Sequence, residues 1–127
     1  MVKYRAERAR VFKSKWFSKE ARKAGISDKE LCEAFAEVLK GQCDPLGGNV
    51  FKKRLNENMH RSIILSSGGG YWFYQYLFAK RDRENIDDDE LAEFKRLAKG
   101  HGKLNEAQMA QLIKDKAYVE ICHDSET

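Results

Sequence analysis

The sequence predicts an α+β fold, an N-terminal helical hairpin packed on a small antiparallel β-sheet with additional C-terminal helices. Three observations predict it. The first eight residues of the stretch 71–83 hold six aromatics and a leucine, apolar on both alternating faces, as in a central strand covered on both sides. Period two puts Trp72, Tyr74, Tyr76 and Phe78 on one face and Tyr71, Phe73, Gln75 and Leu77 on the other. Before residue 41 and after residue 86 the apolar residues instead recur at helical spacing. Between these zones, residues 50–79 break into short alternating runs with short connections, the pattern of an antiparallel meander.

In order along the chain, Ala9 to Lys13 is a short strand candidate. Trp16, Phe17, Ala21 and Ala24 suit one helix face, and Gly25 stops that helix. Ser27-Asp28-Lys29-Glu30 is a capping box opening a helix that buries Leu31, Phe35, Val38 and Leu39 and ends at Gly41. These two helices form the hairpin, expected to cover one face of the sheet. Asp44 to Asn49 reads as a loop, Val50 to Leu55 and Arg61 to Leu65 as strands, and Ser66 to Gly70 as a hairpin connection. Asp87-Asp88-Asp89-Glu90 opens a helix with the stripe Leu91, Phe94, Leu97 and Ala98, stopped by Gly100. Asn105 and Gln108 cap a short helix with Met109, Leu112 and Ile113 inward, and Tyr118 to Cys122 suits an added edge strand. The whole chain, 1–127, reads as one domain with a real core.

The net charge is +4, unevenly placed: residues 1–23 carry +7, 24–50 carry −3, 51–83 carry +5 and 84–127 carry −5. The basic blocks suggest a polyanion partner; internal ion pairs on a solvated surface are the competing reading. No apolar run is long enough for a membrane span, and no apolar core follows the basic start Met1 to Arg5, so neither a membrane anchor nor a signal peptide is expected. Cys32, Cys43 and Cys122 fit reduced cytosolic thiols better than a disulfide framework.

The candidate chemistry is a set of cations on neighbouring strands: Lys52 and Arg54, then Arg61, then Lys80, Arg81 and Arg83. Guanidinium forks grip phosphate, and crowded cations lower a lysine pKa towards what a general base needs. Cleavage of RNA through its 2′-hydroxyl needs a base, cations around the phosphorane and an acid for the leaving oxygen. His60 is a candidate acid, against a solvated turn histidine; Lys53 completes the local basic run. Edge-strand cations that block aggregation are the plain alternative for the whole set. Neither the histidines nor the cysteines show metal-ligand spacing, so no metal or cofactor is expected. Gly68-Gly69-Gly70 lacks the lysine and helix of a phosphate loop, and the strand aromatics Trp72, Tyr74 and Tyr76 suit core packing better than base stacking. Trp16 and Phe17, in the basic N-terminal segment, suit helix-on-sheet packing better than membrane contact.

Several segments together resemble a known family: Lys13-Ser14-Lys15-Trp16-Phe17, Ala21-Arg22-Lys23, Ile26-Ser27-Asp28, Leu31 to Ala34, Phe51-Lys52-Lys53-Arg54-Leu55, Phe78 to Ile86 and Asp88 to Leu91. They are similar to the RelE/ParE toxins of bacterial type II toxin–antitoxin modules, in a RelE/HigB-like subfamily, over nearly the whole chain to about Ile121. The resemblance implies a RelE-like fold and a cytoplasmic toxin neutralised by a cognate antitoxin protein. RelE-like members are ribosome-dependent endoribonucleases that cut mRNA; ParE-like members poison DNA gyrase, and a non-catalytic binding protein on the same fold is a third possibility. Carried residue by residue, the resemblance implies catalytic roles for Lys52, Arg54, Arg61 and Arg81. It sets Lys80 and Arg83 beside Arg81; these two, with Lys53 and His60 from the reading of the residues themselves, are the RNA-binding candidates. One departure stands out: where RelE carries a tyrosine shortly after the last arginine, this chain has Asn85-Ile86-Asp87.

Overall fold

Ser14 ends a strand and begins a helix with no loop between. In the computed structural model, which describes residues 9–122, strand β1 (Arg10–Ser14) runs straight into helix α1 (Lys15–Ala24). The Ser14 hydroxyl accepts from the Phe17 amide at 3.0 Å and so caps the helix that its own strand feeds. Gly25 closes α1 at φ 75°, and helix α2 (Asp28–Leu39) follows. Strands β2 (Asp44–Gly47), β3 (Val50–Leu55), β4 (His60–Ser66) and β5 (Tyr71–Ala79) come next, then helices α3 (Asp88–His101) and α4 (Glu106–Lys114) and strand β6 (Tyr118–Ile121).

A strand therefore precedes the helical hairpin, which corrects the expected start of the fold. β1 lies inside a six-stranded sheet of order β2-β3-β4-β5-β1-β6, parallel to β5 and antiparallel to β6. Its short run Val11-Phe12 is apolar on both sides because it is an inner strand: Val11 packs with the hairpin helices and Phe12 with the C-terminal ones. The expected loop at residues 44–49 is in part an edge strand, and an edge is where Pro45 is tolerated, since its missing N–H faces no partner. α3 runs past Gly100 to His101 and is capped by Gly102.

Helices cover both faces rather than one. On the hairpin side Phe17, Leu31, Phe35 and Val38 pack on Ile64 and Tyr74. On the other, α3 and α4 bring Ala98 and Met109 onto Phe12, Ile63, Leu65 and Phe73. Each fully buried aliphatic or aromatic side chain contributes about 1.5–3 kcal/mol, so the two layers together carry the fold. Tyr74 is wholly buried and donates its hydroxyl to the Leu31 carbonyl at 2.6 Å; burial pushes its pKa up.

One residue redistributes the central strand. Ile63 pairs with Tyr76 but Ile64 pairs with Tyr74, which leaves Gln75 as an extra residue in β5. Beyond it the faces are exchanged relative to strict alternation. Tyr76 and Phe78 join Tyr71 and Phe73 on the α3/α4 side, while Leu77 joins Trp72 and Tyr74 on the hairpin side. Gln75 is held on both ends: Ser14 Oγ donates to its carbonyl at 3.4 Å and the Tyr118 hydroxyl to its side-chain oxygen at 2.8 Å.

The cysteine expectation is also corrected. Cys32, on α2, and Cys122, just past β6, form a disulfide across a separation of 90 residues, with Cα atoms 5.5 Å apart. Only the return of β6 beside β1 brings the two together, which spacing alone does not reveal. Cys43 remains a free thiol, and burial raises its pKa. Among the described residues no helix is long and apolar enough to cross a membrane. His123 and the segment Met1 to Arg5 lie outside the described residues.

Candidate nucleic-acid interface

β3 and β4 set the basic residues in register. Arg54 lies directly across from Arg61, and Arg61 across from Phe78. One step inward, Lys52 lies across from Ile63 and Ile63 from Tyr76. Alternation then puts Lys52, Arg54 and Arg61 on the same face of the sheet as Ile63, Tyr76 and Phe78, the α3/α4 face. Among the described residues no ion pair or side-chain hydrogen bond engages Lys52, Arg54 or Lys80.

The remaining cations are used differently. Arg61 is buried, and its guanidinium donates to the carbonyls of Asn58 at 2.9 Å and His60 at 3.1 Å. It braces the β3–β4 turn, where Asn56, Glu57 and Asn58 all hold positive φ, a conformation that costs non-glycine residues energy. Glu30 steadies the same turn: its carboxylate accepts from the Asn56 amide instead of completing the expected capping box with Ser27. Lys53 stands on the hairpin side of the sheet, donating to Glu37 at 2.6 Å and to the Gln42 carbonyl at 3.0 Å. The ammonium holds the Glu37 carboxyl below its usual range. Arg83 donates to both oxygens of Glu90 and lies over the Phe78 ring at 5.5 Å. That hydrogen bond lowers the Glu90 pKa. Glu90 also closes a capping box with Asp87 at the start of α3.

His60 alternates onto the hairpin side, where its Nδ1 sits 3.1 Å from the Asn56 side-chain nitrogen. The sheet itself thus stands between it and Lys52 and Arg54. Arg81 lies in the turn after β5, its side chain 87% exposed and its Nε 4.0 Å from the Asp82 carboxylate. Lys80 is exposed, and its amide donates to the Met59 carbonyl, which ties the end of β5 to the β3–β4 turn. So the structure gathers Lys52, Arg54 and Arg61 on one face with Lys80 and Arg81 at its end. It places Lys53 and His60 on the other face and spends Arg83 on α3.

A model of the RelE toxin of the RelE/RelB toxin–antitoxin system matches residues 9–121. The chain belongs to the RelE toxin family. Comparison with curated proteins and with solved structures gives no match. The family toxins act within toxin–antitoxin pairs, so a cognate antitoxin is implied for this RelE-family chain.

One aromatic escaped the sequence reading. Trp16 is 45% exposed instead of packed beneath α1; its ring stacks on Tyr76, with centroids 5.1 Å apart and planes 16° apart. A signal was present. Trp16 and Phe17 are adjacent on a helix and diverge by about 100°, so only one can join Ala21 on the buried stripe. His101, between two glycines in sequence, is the last residue of α3. It is buried against Phe73 at 4.1 Å and 3.1 Å from the Tyr118 hydroxyl, and burial lowers its pKa to about 4.

Proposed function

We propose that this RelE-family toxin is an mRNA endoribonuclease that cuts through the RNA 2′-hydroxyl and uses cationic side chains of its own sheet. The reading rests on the family match and on one observation: Lys52 and Arg54 share a sheet face and are engaged by no carboxylate among the described residues, with Arg54 directly across from Arg61. In this scheme Lys52 takes the proton from the 2′-hydroxyl. The oxygen attacks phosphorus, the P–O5′ bond breaks, the leaving 5′-oxygen takes a proton from water, and a 2′,3′-cyclic phosphate results. Arg54 and Arg81 grip the phosphorane oxygens, whose charge grows along the path. Arg61 acts from below, holding the turn and adding its charge. Lys80 extends the basic edge towards the flanking phosphates. Lys53 and Arg83, engaged by Glu37 and Glu90, serve the fold rather than the substrate.

Brief induction followed by primer extension on cellular mRNA tests this. Cuts phased with codons are expected from the natural sequence. Lys52→Ala, Arg54→Ala and Arg81→Ala each lower cutting about a hundred-fold or more, as loss of one transition-state partner does. Lys53→Ala retains it. DNA breaks without mRNA cuts would point to gyrase and overturn the nuclease reading.

A further inference from the structure

Trp16 has an aromatic floor on one side and substantial surface open to solvent. α1 does not use it: the buried stripe of that helix is Phe17 and Ala21. Its ring lies nearly parallel to Tyr76, which in turn contacts Phe78 at 6.0 Å and Phe94 at 5.7 Å. Tyr76 shares its register row with Ile63 and Lys52. At the usual spacing between strands, Lys52 and Tyr76 stand about 10 Å apart across β4, roughly one to two nucleotides of single strand. The backbone around this aromatic surface is basic: Lys15 precedes Trp16, and Lys80 follows the strand that holds Tyr76, both exposed. A rigid exposed indole beside unpaired cations is how proteins hold single-stranded nucleic acid. A core role does not account for this exposure, and among the described residues no cation of the chain lies over the ring.

We propose that Trp16, backed by Tyr76, is a base-stacking platform that positions a nucleotide flanking the scissile phosphate at Lys52 and Arg54. The inference rests on RNA being the target, as argued above. It gives this chain a stacking aromatic on a different element from the segment that follows Arg81. Trp16 is a positioning residue here, touching a base and not the reacting atoms.

The test uses the full chain carrying Trp72→Phe, which leaves Trp16 as its one tryptophan. A short 2′-O-methyl oligoribonucleotide, which cannot be cut, is titrated in while tryptophan emission is followed. Emission should be quenched, and an oligonucleotide with abasic positions should quench far less. Trp16→Ala should weaken binding, and slow cutting of ribosome-bound mRNA, about ten-fold or more, with Trp16→Phe restoring most of both. The melting temperature of Trp16→Ala should stay near that of the parent, because the ring is not part of the core. Unquenched emission, or Trp16→Ala binding as tightly as the parent, overturns the platform. So does a Trp16→Ala variant that loses the cognate antitoxin while keeping RNA affinity, since the surface is then a protein interface. Loss of cutting in Lys52→Ala with full cutting in Trp16→Ala sinks the platform alone. A parent that quenches on RNA but cuts no mRNA sinks the nuclease reading instead.

Discussion

Arg54 and Arg61 face each other across two strands, yet they do different work. Arg61 is buried and donates to two backbone carbonyls, so its charge is held in place by the turn that it braces. Arg54 is exposed and free to meet a phosphate. His101 shows the same division between location and role. Its Nε2 sits 3.1 Å from the Tyr118 hydroxyl, which donates onward to Gln75, while Nδ1 is buried with no partner. That arrangement suits a neutral imidazole. Burial also pushes the Tyr118 hydroxyl up to about 12, so it stays protonated as the donor. The His101 pKa falls from 6.5 to about 4 on folding, so between those values the unfolded chain binds more protons than the folded one. Stability should therefore fall as pH drops from about 6.5 to about 4, by about 1–3 kcal/mol from this group, and the loss should level off below. Thermal melts across that range should show a shallower slope for His101→Phe than for the parent; equal slopes would remove the assignment.

Among the elements, β5 decides the most. Its extra residue, Gln75, lets one strand put Phe73 and Phe78 on the same face although they are five positions apart. Without the extra residue, strict alternation would turn either the first half or the second half of the strand the wrong way. Deleting Gln75 should therefore prevent folding, because Tyr74 would leave the hairpin core or Tyr76 and Phe78 would leave the α3/α4 layer. Circular dichroism and melting should show no cooperative transition, whereas Gln75→Ala should still fold. The same bulge sets Tyr76 under Trp16 and Phe78 under Arg83. The proposed stacking surface and the anchoring of α3 thus both follow from a single inserted residue.

At the scale of the whole molecule, the sheet is closed at one end by a covalent tie. The Cys32–Cys122 bond links α2 to the chain just past β6, and so joins the helical hairpin to the last strand across nearly the whole sequence. A loop of 90 residues is a large entropy to remove from the unfolded chain. Reduction, or Cys32→Ser with Cys122→Ser, should lower unfolding stability by about 2–4 kcal/mol without changing the sheet order. Denaturant titration with and without reductant measures this; coincident curves would show that the bond carries no stability. The Cys43 thiol, raised by burial, is a poor thiolate and so a weak competitor for the bond.

How much of this was legible beforehand follows from the range of each signal. Caps and stripes act within a few residues, so Ser27, Asp87 and Asn105 marked their helices, and residues 50–79 showed their strands. The basic run Lys52 to Arg54, with Arg61 a few residues on, was equally readable in the chain. What required tertiary structure was every relation between distant segments. The place of β1 inside the sheet, the bulge at Gln75 and the disulfide depend on which strands lie side by side. So do the capture of Lys53 by Glu37 and of Arg83 by Glu90, which remove two cations from the interface. Most of the elements, the RelE kinship and the inventory of charges were readable from the chain alone, because these are properties of short stretches and their order. Only the packed sheet decided which charges remain open and on which face, because a strand presents its side chains according to its neighbours' register, and one inserted residue is enough to turn them over.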